Sequence, residues 1–266
     1  MRIAVAQYAA GMDKPANLAT LQRQIAEAAE DGATLVIAPE GAMHDFGPQD
    51  LALAPVAESI DGPFVTGLAD VASSRGVTVV AGMFESVDAD PTRAYNTVVA
   101  VGPTGELIGR YRKQHLFDAL GWRESERLVA GEPAQRLVFE SGEFRVGVLT
   151  CYDIRFPELT RALVDDGATL LAVPSAWVAG RSKAQQFRTL ATARAIENVC
   201  YLAGAVQSPP SYTGESVVID PFGEILVELA EADGVAVADI SAERVVACRE
   251  RMPSLSNRRW RVEPLD

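Results

Sequence analysis

The sequence predicts an α/β protein in which two mixed sheets pack face to face between outer helices. Two observations carry this. Short apolar runs of strand character alternate with stretches of helical periodicity, the mark of helix-linked strands. That alternation is interrupted by pairs of runs around tight turns, such as the runs flanking Gly102-Pro103-Thr104-Gly105, the mark of hairpins. Helix-linked strands pair in parallel and hairpins pair antiparallel, so the sheets are expected to be mixed.

Taken in order, residues 3–7 read as a strand. Residues 15–31 read as a helix with Asp13 as its cap and Leu18, Leu21, Ile25 and Ala28 on one face. Strands are expected at 34–38 and 77–81, with a helix at 64–74 between them. Hairpins follow at 97–101 with 107–111, and at 137–139 with 145–149. A helix at 157–166, a strand at 170–173, a helix at 183–198 and a strand at 201–206 come next. A hairpin around Pro221-Phe222-Gly223, a strand at 235–240 and a helix at 242–251 complete the pattern. The tail from 253 to 266 is aperiodic. No linker, repeat or low-complexity segment divides the chain, so residues 1–266 read as one domain.

Of 266 residues, 48% are hydrophobic and 23% charged, enough to bury a large core. The net charge of −12 disfavours phosphate backbones and anionic lipid, so neither nucleic acid nor membrane partners are expected. No run approaches a membrane span, and the first residues turn polar too soon for a signal peptide. Three scattered cysteines, Cys151, Cys200 and Cys248, argue against a disulfide framework and for a reducing, cytoplasmic setting. His44 and His115 match no metal spacing, and neither a dinucleotide fingerprint nor a P-loop occurs.

Three strand-like runs end on a reactive side chain: 33–39 at Glu40, 106–112 at Lys113 and 144–150 at Cys151. Loops at strand ends converge in open α/β sheets. A thiol, a carboxylate and an ammonium brought together make a nucleophile, a proton carrier and an oxyanion holder. Cys151 sits where a strand turns sharply into a helix, and a helix start together with Lys113 would favour thiolate. Read singly, each has a plainer account: a core cysteine, a solvated strand-end glutamate, one member of a basic cluster.

Jointly, these segments resemble the nitrilase, or carbon–nitrogen hydrolase, superfamily. Pro39-Glu40 is similar to its glutamate motif, and Tyr111 through Asp118 to its lysine motif. Cys151-Tyr152-Asp153-Ile154-Arg155-Phe156-Pro157-Glu158-Leu159 is similar to the cysteine motif of its small amidases. Tyr95-Asn96-Thr97, Arg194 through Asn198, and Gly214 through Glu224 extend the match over nearly the whole chain.

The resemblance implies a four-layer αββα sandwich, no cofactor and no metal. It implies a homodimer or higher homo-oligomer, with the helices at 157–166 and 183–198 against their symmetry mates. The substrate would be a small-molecule amide, cleaved to acid and ammonia through a cysteine thioester. Catalysis would fall to Glu40, Lys113 and Cys151. A second glutamate is expected before the cysteine; Glu124 is the best positional match, ahead of Glu126 and Glu132. Tyr152, Ala176 and Trp177 would bind substrate, the Tyr152 N–H facing the oxyanion. His115 would be structural and His44 near the entrance. The cysteine segment looks like enzymes acting on ω-amides of dicarboxylic acids and on deaminated glutathione, with Arg155 or Arg188 as a carboxylate clamp. A nitrile or N-carbamoyl substrate is the alternative chemistry, and a non-catalytic binding protein the alternative class. Gln186-Phe187-Arg188 departs from the His-Trp-Glu of related members.

Overall fold

The computed structural model describes residues 1–263; the end of the aperiodic tail, 264–266, lies outside the described residues. The first half runs β1 (Arg2–Gln7), α1 (Lys14–Glu30), β2 (Leu35–Ile37), α2 (Pro63–Arg75), β3 (Thr78–Ser86), β4 (Ala94–Val101), β5 (Leu107–Arg112) and the two-residue β6 (Leu128–Val129). The second half runs β7 (Leu137–Ser141), β8 (Phe144–Val148), α3 (Pro157–Asp165), β9 (Leu170–Ser175), α4 (Lys183–Asn198), β10 (Tyr201–Val206), β11 (Val217–Ile219), β12 (Ile225–Glu228), β13 (Gly234–Asp239) and α5 (Ala242–Arg251).

Local chemistry accounts for the helix ends. The Asp13 carboxylate accepts from the Ala16 N–H at 3.1 Å, and a proline occupies the first turn, where its missing N–H costs nothing. Ser241 caps α5 in the same way, accepting from Arg244 N at 3.2 Å. Helix α2 stops at Gly76, whose φ of 65° suits a residue without Cβ.

The strands form two sheets, ordered β13-β1-β2-β3-β4-β5 and β12-β11-β10-β9-β8-β7, with β6 attached to β4. Each has three parallel strands at its centre, β1-β2-β3 and β8-β9-β10, and antiparallel strands outside them. Strand alternation separates the layers. On β1, Ile3 and Val5 pack toward the second sheet, in one cluster with Val146, Val148 and Leu202. Ala4 and Ala6 face the other way, onto Leu21 and Ile25 of α1 and Phe64 and Leu68 of α2. The expected αββα layering is present.

The two halves share one topology. The path β1-α1-β2-α2-β3-β4-β5 is repeated as β8-α3-β9-α4-β10-β11-β12. The sequence shows no internal repeat because the repetition lies in strand order and helix placement, not in side chains. Among the described residues, no helix is long and apolar enough to cross a membrane.

Candidate active site

Glu40, Lys113 and Glu124 come from the first sheet, and Cys151 and Ala176 from the second. Glu40 follows β2 in a turn that presses against β3. A Cβ on Gly82 would lie 2.7 Å from the Glu40 Cα and 2.6 Å from Gly41 N, so only glycine admits this approach. Lys113 continues the alternation of β5. Tyr111 is buried, whereas Arg110 is exposed and Arg112 half-buried, and they pair with Glu85 at 2.7 and 2.6 Å. Lys113 is therefore not part of that basic cluster; it is 1% exposed.

The Lys113 ammonium bridges two carboxylates. Nζ donates to Glu40 Oε1 at 2.9 Å and to Glu124 Oε2 at 2.9 Å. Glu40 is held on both oxygens, Oε1 accepting also from Asn96 Nδ2 at 2.7 Å and Oε2 from the Ala176 N–H at 2.7 Å. Glu124 accepts from the Phe117 N–H at 2.8 Å. Glu126 and Glu132, the other candidates, are exposed.

Burial alone would pull the Lys113 proton affinity down, but Glu124 and Glu40 outweigh it and hold the ammonium well above its usual range. Burial pushes the Glu124 carboxyl up, with Lys113 opposing and Glu40 adding to the rise. The Cys151 thiol is pushed well above its usual range, first by burial and then by the Glu40 charge, against which Lys113 does not prevail. The pull toward thiolate expected from Lys113 is thus outweighed by burial and the Glu40 charge. Counting nearby cations ignored the low-dielectric surroundings and the carboxylate beside the sulfur.

Cys151 opens a five-residue 3-10 turn, Cys151–Arg155, at φ 49°. That left-handed conformation is uncommon for a residue with a Cβ and costs on the order of 1–3 kcal/mol. The fully buried Asp153 offsets it. Its carboxylate accepts from Tyr111 Oη at 2.7 Å, Thr150 N at 3.0 Å and His115 N at 3.0 Å, and pairs with His115 Nδ1 at 2.7 Å. His115 stacks on Phe156 with ring centres 3.6 Å apart. It thus fastens the cysteine turn to the lysine strand. Asn96 and Asp153 carry these positioning contacts; both stand inside the matched motifs, but only the folded chain shows whom they touch. The Tyr152 N–H lies in the first turn of the 3-10 segment, where N–H groups lack intrahelical acceptors.

Beside Cys151 opens a pocket of about 500 Å³, counting its mouth, lined by Phe117, Glu124, Tyr152, Ala176, Trp177 and Lys183 among others. Glu40 and Lys113 do not form its wall. His44 is 2% exposed, pairs through Nδ1 with Asp45 O and is not part of the lining, so the entrance expectation for it fails. Arg188 is engaged by Glu215 and Glu228 and is no free clamp. Arg155 donates to Gln186 Oε1 at 2.8 Å and lies over Trp177. Among the described residues no His/Cys/Asp/Glu cluster could hold a metal ion, and the three cysteines are buried and unpaired.

Residues 2–250 match the carbon-nitrogen hydrolase family. The chain is 38% identical to a hydrolase of Mycobacterium tuberculosis, covering 97% of this chain and 95% of the relative. It is 34% identical to the deaminated glutathione amidase of Escherichia coli O157:H7, covering 98% of each. It is 33% identical to an omega-amidase of Xenopus tropicalis, covering 97% and 95%. Among solved structures, a glutamate-to-glutamine mutant of the amidase from Nesterenkonia sp. AN1 superposes with a TM-score of 0.82 at 29% identity, covering 97% and 94%. That structure carries the acetamide moiety of fluoroacetamide covalently on its active-site cysteine.

Proposed function

The chain belongs to the carbon-nitrogen hydrolase family, and we propose that Cys151, Glu40, Lys113 and Glu124 carry its reaction. The enzyme hydrolyses a small-molecule amide to a carboxylic acid and ammonia through a cysteine thioester. The observation that carries the assignment is the buried Glu40–Lys113–Glu124 bridge beside the Cys151 thiol.

Glu40 takes the Cys151 proton as the sulfur attacks the amide carbonyl carbon. The oxyanion is held by the Lys113 ammonium and the Tyr152 N–H, a contribution worth about 3–4 kcal/mol per donor in comparable sites. Glu40 passes its proton to the leaving nitrogen, the C–N bond breaks and ammonia departs. Glu40 then takes a proton from water as the water oxygen attacks the thioester, the C–S bond breaks, and Glu40 returns that proton to the sulfur as the acid leaves. Asn96 and the Ala176 N–H fix the Glu40 carboxylate for both proton transfers. Glu124 keeps Lys113 charged and orients the substrate with Tyr152, Ala176 and Trp177.

The substrate class we favour is the ω-amide of a dicarboxylic acid, including amides of the deaminated glutathione type. Support comes from the cysteine segment and from relatives named for those activities. The reading extends to one domain over residues 1–266, to a cytoplasmic setting in keeping with unpaired cysteines, and to a homodimer through α3 and α4. The test is ammonia release from a panel of ω-amides, nitriles and carbamoyl amino acids, with intact-protein mass spectrometry for an acyl adduct. Amide turnover with an adduct on Cys151 is expected, and Cys151→Ala should lose both. Ammonia release surviving in Cys151→Ala would refute the assignment.

A further inference from the structure

The pocket wall carries a buried cation that no carboxylate among the described residues neutralises. Lys183 opens α4, is 8% exposed and lines the pocket with Cys151 and Ala176. Its ammonium lies 4.7 Å from the ring centre of Trp177 and 5.5 Å from that of Phe117. Among the described residues no carboxylate pairs with it, whereas Lys14 and Arg110 each reach one, Arg188 reaches two and Lys113 stands between two. On the same indole lies a second cation: the Arg155 guanidinium is 5.0 Å from the Trp177 ring centre, held by Gln186 and also without an acid.

Two like charges on one ring repel, and a cation nine-tenths buried without a counter-charge is costly. Burial first, and Arg155 second, pull the Lys183 proton affinity down. Aromatic faces keep the ammonium in place but do not neutralise it. The first turn of α4 adds its positive end, and Ser182 supplies no side-chain cap there. An anion entering the pocket would meet the Lys183 ammonium beside the start of α4, on a wall that also carries Glu124. Arg188 is spent on two glutamates, Arg155 lies outside the lining, and Arg127, which also lines the pocket, donates to the Phe46, Pro48 and Leu51 carbonyls, which leaves Lys183 as the cation facing the ligand.

We propose that Lys183 is the specificity-determining residue of this chain, binding a carboxylate at the far end of the amide substrate. This rests on the amidase function given above and assigns the preference for a charged substrate to one side chain. The contact between Trp177 and the start of α4 runs from indole Nε1 to the Lys183 carbonyl at 2.8 Å, so it survives a change of the Lys183 side chain.

The experiment compares glutaramate with pentanamide, an uncharged amide of equal chain length, in the wild type, Lys183→Met and Lys183→Arg. The wild type should favour glutaramate about 10–100-fold in kcat/KM, as hydrogen bonds to charged groups imply. In Lys183→Met that ratio should fall toward one through a higher KM for glutaramate, and Lys183→Arg should keep most of it. A turnover-free arm measures glutarate binding to Cys151→Ala by calorimetry, with loss expected when Lys183→Met is added. If Lys183→Met fails to fold, Lys183→Gln is read in its place. Absence of an acyl-enzyme from either amide would overturn the amidase function, while the glutarate arm still decides Lys183. Turnover with a ratio that Lys183→Met leaves unmoved, a wild-type preference for pentanamide, or glutarate binding unchanged by the substitution would overturn the role of Lys183.

Discussion

Replacing Lys113 by methionine tests the buried bridge through stability as well as activity. The ammonium is 1% exposed and touches Glu40 and Glu124 at 2.9 Å each. Methionine fills much of its volume but leaves two carboxylates without their shared cation. Removing one partner of a buried ion pair costs roughly 3–5 kcal/mol. For a chain of this size each kcal/mol moves Tm by about 2–4 °C, so Lys113→Met should melt about 6–20 °C lower. Adding Glu124→Gln removes the repulsion, and Glu40 keeps its donors Asn96 and Ala176 N. The double variant should therefore regain about 1–3 kcal/mol of coupling while remaining inactive. The sign with pH follows from Glu124. Its folded proton affinity is already raised above the ordinary value of 4.5, so the folded state binds that proton more tightly than the unfolded chain. Stability from this group is complete below about pH 4.5 and lost as pH rises through the folded value. Without Lys113 the rise is larger, so the single variant should lose stability between about pH 5 and 8 more steeply than the wild type. Urea unfolding of the three proteins at both ends of that range measures all of this. A double variant no more stable than the single one, or a single variant indifferent to pH, would refute the reasoning.

Glu40→Gln keeps the Lys113, Asn96 and Ala176 contacts close to their present geometry but removes the proton carrier. Its kcat should fall about 10²–10⁴-fold with little change in KM, and a loss below tenfold would show that another group moves the proton. For assembly, light scattering at micromolar concentration should give at least twice the 28.4 kDa chain mass; a single-chain mass would exclude the dimer.

The elements most legible in the sequence are those whose own periodicity holds them. The expected helix at 183–198 and strand at 201–206 coincide with α4 and β10. Strand β3 runs to Ser86, five residues past its expected end, because Met83 through Ser86 pair with β4 rather than continue an apolar run of their own. Strand β6 is two residues long and exists only as a partner of Ala94 and Tyr95, which no local pattern reveals. At the site, Glu40, Lys113 and Cys151 announce themselves by ending strands. Lys183 does not, since its neighbours in space, Trp177 and Phe117, reach it only once both sheets are formed. The upward push on the Cys151 thiol is illegible for the same reason: burial belongs to the assembled protein.

The repeated topology puts Glu40 and Lys113 on one sheet and Cys151 on the other. The Ala176 N–H, at the end of β9, meets the carboxylate that follows β2, its counterpart strand in the other half. Chemical competence is thus a property of the seam. A slip of one sheet over the other would part sulfur from carboxylate while every strand stayed hydrogen-bonded. Turnover is then a finer gauge of how the halves are clamped than any spectroscopic measure of folded content, and the first activity lost on warming should be lost with secondary structure intact.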